Sequence, residues 1–358
     1  MSRARDLADL GGSADAGGLT GRNLIINGAM TVAQRGTSAT GKTTGGYFTV
    51  DRSKFDLVNL GTHTYSQSTD APEGFSNSLR VDCTATASLS ADSLLYALAQ
   101  GIEGQNLQQL KKGTSNAESV TVSFYVKSNK TGTYVLEIYD GMNTRHIGKT
   151  YTIDTANTWE YKTLTFAGDT SGTLTNSNAF GMGLFFWIGA GSNYTTGTLP
   201  SSWASVTNAN RAAGLNVKMA DSTDNDWAIT GVQLEVGETA TPFEHEGYGT
   251  TLGKCQRYYQ VYDNIQGMTL HCYNTSHAYT SVQYPDGIMR ATPTATVNYS
   301  SGDSFALAGS GKTISAREIV GVKPNVFMFK LTASSLTAGQ AGHYDKDSTN
   351  IFQFDAEL

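Results

Sequence analysis

Charge is scarce in this sequence. Asp, Glu, Lys and Arg make up 16% of its residues, against about a quarter in an ordinary globular chain, and the balance is negative, at −6. Neutralising phosphates takes a basic stripe, so no nucleic-acid partner is expected. Long apolar runs are missing too. Nothing approaches the ~18 continuous apolar residues of a spanning helix, so no membrane span is expected. The opening MSRARDLADLGGSADAGG has no apolar core of the kind that makes a secretory signal. The expectation is a soluble protein made in a cytoplasm.

Cysteine is limited to Cys83, Cys255 and Cys272, an odd number without paired spacing, which fits neither a disulfide framework nor a Cys-x-x-Cys metal site. His245, His271 and His277 stand apart, and no H-x-x-x-H or H-E-x-x-H pattern exists, so zinc is not expected. Acidic loops such as Asp221–Asp226 carry ligands suited to a structural calcium ion. Their spacing lacks the Gly and distal Glu of an EF-hand, and a solvated turn is the simpler reading. No cofactor is therefore expected, a structural calcium ion being the one open case. G-x-S-x-G is absent, and no Ser/His/Asp set can be argued. A glycosidase needs two opposed carboxylates, and Glu103, Glu137 and Asp140 are no more distinctive than the other acids.

The deficit in charged and apolar residues is filled by glycine, 39 of 358 residues, with Ser, Thr and Asn. That composition suits many short strands joined by turns and disfavours bundles and α/β enzymes. Ser78–Cys83, Ser119–Lys127, Gly132–Tyr139 and Trp159–Phe166 alternate apolar and polar residues as strands do. Leu24–Ile26, Tyr47–Arg52 and Lys54–Val58 read as further strands, and Ser93–Ile102 as a buried one. Phe180–Ile188 is apolar on both faces, as a central strand would be. Eight to ten strands over residues 21–245, with a turn every 8–12 residues, predict a β-sandwich of jelly-roll type. Residues 266–358 repeat the pattern on a smaller scale, with Val282, Ile288, Val297, Ile319 and Val326–Leu331 as candidate core.

The seam between the two lies in 226–260. Trp227, Ile229, Val232, Leu234 and Val236 alternate as a strand, Gly231 suggests a bulge, and Gly237 and Pro242 end it. Thr251 is positioned to cap a short helix carrying Leu252, Cys255, Tyr258, Tyr259 and Tyr262. So short a helix needs neighbours, either its own domain or symmetry mates around an axis, and in the second case Leu252, Cys255, Tyr259 and Tyr262 are the candidate subunit interface. The expected order is all-β: an extended N-terminal arm (1–20), a jelly-roll sandwich (21–245), a linker helix (246–265) and a small C-terminal β-domain (266–358). The arm gains structure only by docking, with Arg3, Arg5, Leu7 and Leu10 as its grips.

Gly36-Thr-Ser-Ala-Thr-Gly41-Lys42-Thr43 matches the phosphate-cradling G-x-x-x-x-G-K-[ST] pattern. That mechanism needs a helix N-terminus directly after the loop, whereas two glycines and a strand follow, so the stretch reads as a flexible loop. Aromatics are the better lead. Tyr194, Trp203, His271, Tyr273, His277, Tyr279, His343 and Tyr344 sit in polar segments, and rings with polar tips on a β-scaffold suit sugars. Set against this, any one of them is as readily a core or interface residue.

Several segments resemble tail-fibre and receptor-binding proteins of tailed bacteriophages. They are NLIINGAMTVAQRG (23–36), QGIEGQNL (100–107), VTVSFYVKS (120–128) and TWEYKTLTFAGDTSGT (158–173), then ITGVQLEVGETATPFE (229–244), CQRYYQ (255–260) and MRATPT (289–294). Through SLRV (78–81), SFYVKS and GVQLE the sandwich is similar to a carbohydrate-binding module, and the leader SRARDLADL resembles that of cyanophage virion proteins. The resemblance implies a virion (tail) location, host attachment through a surface glycan, docking of the arm on other tail proteins, and a trimer. It supplies no catalytic residue. The alternatives are a non-binding structural protein of tail or capsid and, third, a polysaccharide depolymerase.

Overall fold

The computed structural model describes residues 21–263, 265–284, 286–298, 303–346 and 351–358. The arm with Arg3, Arg5, Leu7 and Leu10 lies outside the described residues. The chain divides into two units, residues 1–251 with Leu358, and residues 252–357.

In the first unit the strands are β1 (Ser38–Lys42), β2 (Gly46–Tyr47), β3 (Lys54–Val58), β4 (Thr62–Ser68), β5 (Ser78–Ala85) and β6 (Leu94–Glu103). Then come β7 (Val120–Ser128), β8 (Gly132–Asp140), β9 (Arg145–Ile153), β10 (Glu160–Phe166), β11 (Phe180–Ala190), β12 (Ala204–Ser205) and β13 (Asp226–Val236). One sheet runs β1-β4-β5-β13-β7-β10 and the other β12-β9-β8-β11-β6-β3-β2, with antiparallel pairing. The chain crosses between the sheets from β1 to β2, β3 to β4, β5 to β6, β6 to β7, β7 to β8, β9 to β10, β10 to β11 and β12 to β13. This is a jelly-roll β-sandwich.

Alternation decides which side chains meet between the sheets. Val122, Phe124 and Val126 of β7 and Trp227 and Ile229 of β13 face Leu136 and Ile138 of β8 and Leu184, Phe186 and Ile188 of β11 in one buried core. The other face of β11 is buried as well. Phe185 and Trp187 pack with Tyr96 and Val135 beneath Tyr194, Leu199, Ala212 and Leu215. That double burial is why this strand carries no polar alternation.

Gly231 sits at φ +62°, where the β13–β7 register shifts between Thr230 and Gln233. A Cβ there would stand 2.7 Å from the Phe75 ring. Gly231→Ala is expected to cost the sandwich about 2–4 kcal/mol, from the left-handed backbone and the overpacked ring together. A denaturant midpoint that barely moves would show that the bulge carries no such constraint.

Several local expectations are corrected. Leu24–Ile26 forms no strand; it is tethered by Leu24 N–H to the Leu234 carbonyl, 2.9 Å, and Ile26 N–H to Gln100 Oε1, 2.7 Å. The Tyr47–Arg52 strand stops at Tyr47, because Arg52 turns at φ +69° to donate to the Gly101 carbonyl from a fully buried position. The phosphate-loop match is neither a phosphate cradle nor a free loop: Ser38–Lys42 is edge strand β1, paired with β4, and Lys42 Nζ lies over the Phe48 ring. The helix, α1, spans Tyr248–Gln256, so Thr251 is inside it and does not cap it.

The second unit comprises β14 (Tyr259–Tyr262), β15 (Ile265–Cys272), β16 (His277–Gln283), β17 (Thr294–Val297), β18 (Ser304–Leu307) and β19 (Ser310–Lys312). After them come β20 (Ile314–Lys323), β21 (Val326–Ala333), β22 (Ala341–Lys346) and β23 (Phe352–Asp355). A three-stranded sheet β14-β23-β17 and a seven-stranded sheet β19-β18-β22-β15-β16-β21-β20 enclose Leu270, Phe327, Phe329, Leu331, Tyr344, Phe352 and Phe354. Ile288, expected in this core, is 66% exposed.

The proposed trimer stripe does not exist as a helical face. Leu252 and Cys255 are on α1, but Tyr259 and Tyr262 are on β14. Cys255 and Tyr259 are buried within the chain, and Tyr262 stacks edge-on against Phe327 and Phe354. Helical spacing was read through a point where the chain turns: Tyr258 N–H already closes on the Cys255 carbonyl at 2.9 Å.

Candidate functional site

Of the eight ring residues singled out in the sequence, the structure brings five together. On β15 the side chains of Leu270 and Cys272 point into the core, so Thr269 and His271 take the outer face, and Tyr273, the first residue past the strand, is exposed as well. On β16 Ala278 is buried, which leaves His277 and Tyr279 outside. The pairing of His271 with Tyr279 and of Cys272 with Ala278 continues as Tyr273 N–H to the His277 carbonyl, 2.9 Å. Two residues from each arm of this hairpin therefore form a two-by-two block of rings on the outer face, with His271 opposite Tyr279 and Tyr273 opposite His277. Directly opposite residues of this kind stand about 5 Å apart at Cβ.

Ring contacts hold the block. Tyr273 meets Tyr279 edge to face at 6.0 Å, and His277 lies 6.5 Å from Tyr279. His277 Nδ1 is 3.2 Å from Asn274 Oδ1, and Asn274 Oδ1 also accepts the Ser276 and His277 amides at 2.8 Å, fixing the β15–β16 turn. Tyr273 is nonetheless 76% exposed. A tyrosine ring left this open beside a second one is unusual on a surface of low charge.

The neighbouring strands extend the row. His343 of β22 pairs with Thr269, one step diagonal to His271. Tyr279 pairs with Lys330 of β21, and Lys330 pairs with Glu318 of β20, their side chains 2.5 Å apart. Its hydrogen bond to the Glu318 carboxylate raises the Lys330 ammonium pKa above its ordinary value. Lys330 and Glu318 were not foreseen. In V-F-M-F-K-L-T the lysine reads as one polar position of a strand, and only the register shows that it flanks Tyr279.

Tyr344 does not belong to the site. It is 2% exposed, packs on Phe329, and its hydroxyl meets Asp303. On β22 it is the inward neighbour of outward His343, and burial pushes its hydroxyl pKa up.

The sandwich residues Tyr194 and Trp203 are engaged elsewhere. Tyr194 lies against Trp187 at 5.4 Å. It belongs to the 191–216 segment, which closes the outer face of the β11 sheet. From that segment Arg211 reaches over Trp187 at 5.1 Å, with Tyr139 and Phe185 at 5.4 Å, to fully buried Glu137. Its Nε and Nη2 donate to Glu137 at 3.0 Å each. The Glu137 carboxylate also takes Trp187 Nε1 at 3.0 Å and contacts His146 Nδ1 at 2.7 Å. The aromatic face that a sugar would use is thus occupied by the protein's own arginine. Trp203 donates Nε1 to the Ala167 carbonyl at 2.7 Å and covers Lys112, whose Nζ is 4.8 Å from the ring.

The acids weighed for hydrolysis are similarly committed. Glu103 binds Gln105 at 2.6 Å, Glu137 holds Arg211, and Asp140 is ion-paired to Lys112. In the acidic loop Asp221 pairs with Lys130. Among the described residues no group of three or more His, Cys, Asp or Glu side chains is placed to hold a metal ion, and no helix is long and apolar enough to cross a membrane.

No family model matches the chain, and no curated protein matches it. Solved structures similar to it include the enzymatically active domain of tailspike protein 4 of bacteriophage CBA120, at 12% identity and a TM-score of 0.30, over 60% of this chain and 21% of that one. A CBM4 structure matches at 8% identity and a TM-score of 0.29, over 60% of this chain and 99% of that one. The CBM22-1–GH10 modules of Clostridium thermocellum endo-1,4-beta-D-xylanase 10B match at 12% identity and a TM-score of 0.28, over 62% and 30%. The chain spans about a fifth of the tailspike chain and under a third of the xylanase. Likenesses this low carry no argument about function, and the jelly-roll assignment stands on the strand order itself.

Proposed function

We propose that this chain is a virion tail-fibre protein that attaches a phage to its host by binding a surface glycan on the outer face of the second unit. The observation that supports this reading most directly is the exposed ring block of His271, Tyr273, His277 and Tyr279. It offers tyrosine faces for the apolar side of a sugar and hydroxyl, imidazole and ammonium groups for its hydroxyls. The sandwich is not the binding unit in this reading, its own aromatic face being filled by Arg211. Binding without hydrolysis fits the committed state of Glu103, Glu137 and Asp140. The arm docks on other tail proteins, and threefold presentation in a homotrimer would multiply a weak single site by roughly 10²–10⁴.

Particles carrying Tyr273→Ala are expected to adsorb to host cells about fivefold more slowly, since a stacked ring supplies about 1 kcal/mol. Tyr273 is exposed, so the thermal midpoint should hold. Adsorption at the wild-type rate by both Tyr273→Ala and Tyr279→Ala particles would reject the site.

A further inference from the structure

We propose that the ligand of this ring block is an acidic saccharide, a glycan bearing carboxylates on its sugar rings, held by the two tyrosines and by N–H groups of His271, His277, His343 and Lys330. The inference rests on the glycan reading above and narrows it to one chemical class.

The argument is one of charge complementarity on a single sheet face. Around the block, the side chains that can carry positive charge come from four strands: His271 on β15, His277 on β16, His343 on β22 and Lys330 on β21. Cross-strand neighbours stand about 5 Å apart and diagonal ones about 7–8 Å, so one sugar ring reaches several of them at once.

The carboxylates of the same face are set back from the rings and already engaged. Glu318 lies one strand beyond Lys330 and is bonded to it at 2.5 Å. Asp345 is two residues along β22 from His343, and its Oδ1 accepts the Gly267 amide at 2.6 Å. Asp303 lies on the opposite, inward side, where it pairs with Arg317 and meets the Tyr344 hydroxyl. Among the described residues, the side-chain oxygen that meets the four rings of the block is the amide oxygen of Asn274, on His277.

A neutral sugar presents hydroxyls that donate as well as accept, and a site for it mixes carboxylates with donors. A face of tyrosines, imidazoles and one ammonium, with its acids held back, instead matches a ligand that is itself the acceptor. Hydrogen bonds from ionised donors to a carboxylate are about twice as strong as neutral ones. Histidine charge changes between about pH 5 and pH 8, so the face becomes more positive, and its grip on a carboxylate firmer, as the medium acidifies.

The test uses the full chain against galacturonate, glucuronate and mannuronate/guluronate oligomers and their carboxyl-reduced neutral counterparts, at about pH 5.5 and about pH 7.5. The acidic form of at least one oligomer is expected to bind about tenfold more tightly than its neutral counterpart, and more tightly at the lower pH. Lys330→Gln should weaken that binding at both pH values, and His271→Gln with His343→Gln should flatten the pH dependence. All three positions are solvent-facing, and an unchanged thermal midpoint certifies the fold. Equal binding of acidic and reduced oligomers at both pH values would overturn the acidic class and leave the glycan reading standing. If no oligomer binds, the acidic class also fails, and the adsorption of Tyr273→Ala particles decides the glycan reading separately.

Discussion

Arg211→Ala is expected to remove about 3–5 kcal/mol from the stability of the sandwich, the usual cost of stripping one partner from a buried ion pair. Glu137 is completely buried, and its carboxylate is matched by the guanidinium fork, the Trp187 indole and a contact with His146. Burial works against the charge of Arg211, and the facing carboxylate of Glu137 more than restores it, so its pKa lies above the ordinary value. Alanine also vacates the cage of Tyr96, Tyr139, Phe185 and Trp187, adding a cavity cost.

Arg211→Lys keeps the charge but not the planar fork or its stacking, and should lose less. Arg211→Met with Glu137→Gln removes both charges while the amide oxygen still accepts from Trp187, and about half of the loss should return. Urea denaturation of the four proteins checks the order. If Arg211→Ala lies within about 1 kcal/mol of the wild type, the arginine is a surface ornament and the 191–216 segment is free to lift from the aromatic face.

What could be read from the sequence, and what could not, follows from how far each signal reaches. Alternation is local, so β5, β7, β8, β10 and β13 were legible, as was the doubly buried β11. Gly231 was legible as a bulge because a break inside a strong strand leaves few alternatives. Leu24–Ile26 misled because three apolar residues are also what a docked segment needs to bury Ile25. Tyr259 and Tyr262 misled because helical spacing cannot be told from a helix followed by a strand over so few residues. The ring block was half legible. The aromatics on β15 and β16 were visible as types, but which of them share a face is a matter of register, and that separated outward His343 from inward Tyr344. The partner of Glu137 was invisible, since Arg211 is 74 positions further along the chain and nothing local marks the pair.

Lys112→Met is the second change with a large expected effect, and it carries a pH signature. Lys112 is almost fully buried between Asp140 and Asp169, beneath Trp203. Its Nζ donates to Asp140, to Asp169 at 2.8 Å and to the Gly172 carbonyl at 3.1 Å. Asp169 also receives Arg145 Nε at 2.8 Å and the Ser171 amide at 3.0 Å. Burial alone would push the Asp169 carboxyl up, but the hydrogen bonds from Arg145 and Lys112 outweigh it and lower its pKa to about 2.

The folded value therefore lies below the unfolded one of about 3.9. Asp169 stabilises the fold fully above about pH 4, and that contribution is lost as the pH falls towards 2. Replacing Lys112 by methionine leaves two carboxylates facing each other, with Arg145 and the Ser171 amide still serving Asp169. The neutral-pH cost should be about 3–5 kcal/mol. Acidification lets a carboxylate in the variant take up a proton and relieves the clash, while the wild type gains nothing from the same proton. The stability gap is accordingly widest near neutral pH and narrows as the pH approaches about 4. Thermal midpoints of both proteins across that range measure it directly. A gap that stays constant with pH would mean that Lys112 acts through packing under Trp203 alone, and that the carboxylates do not depend on its charge.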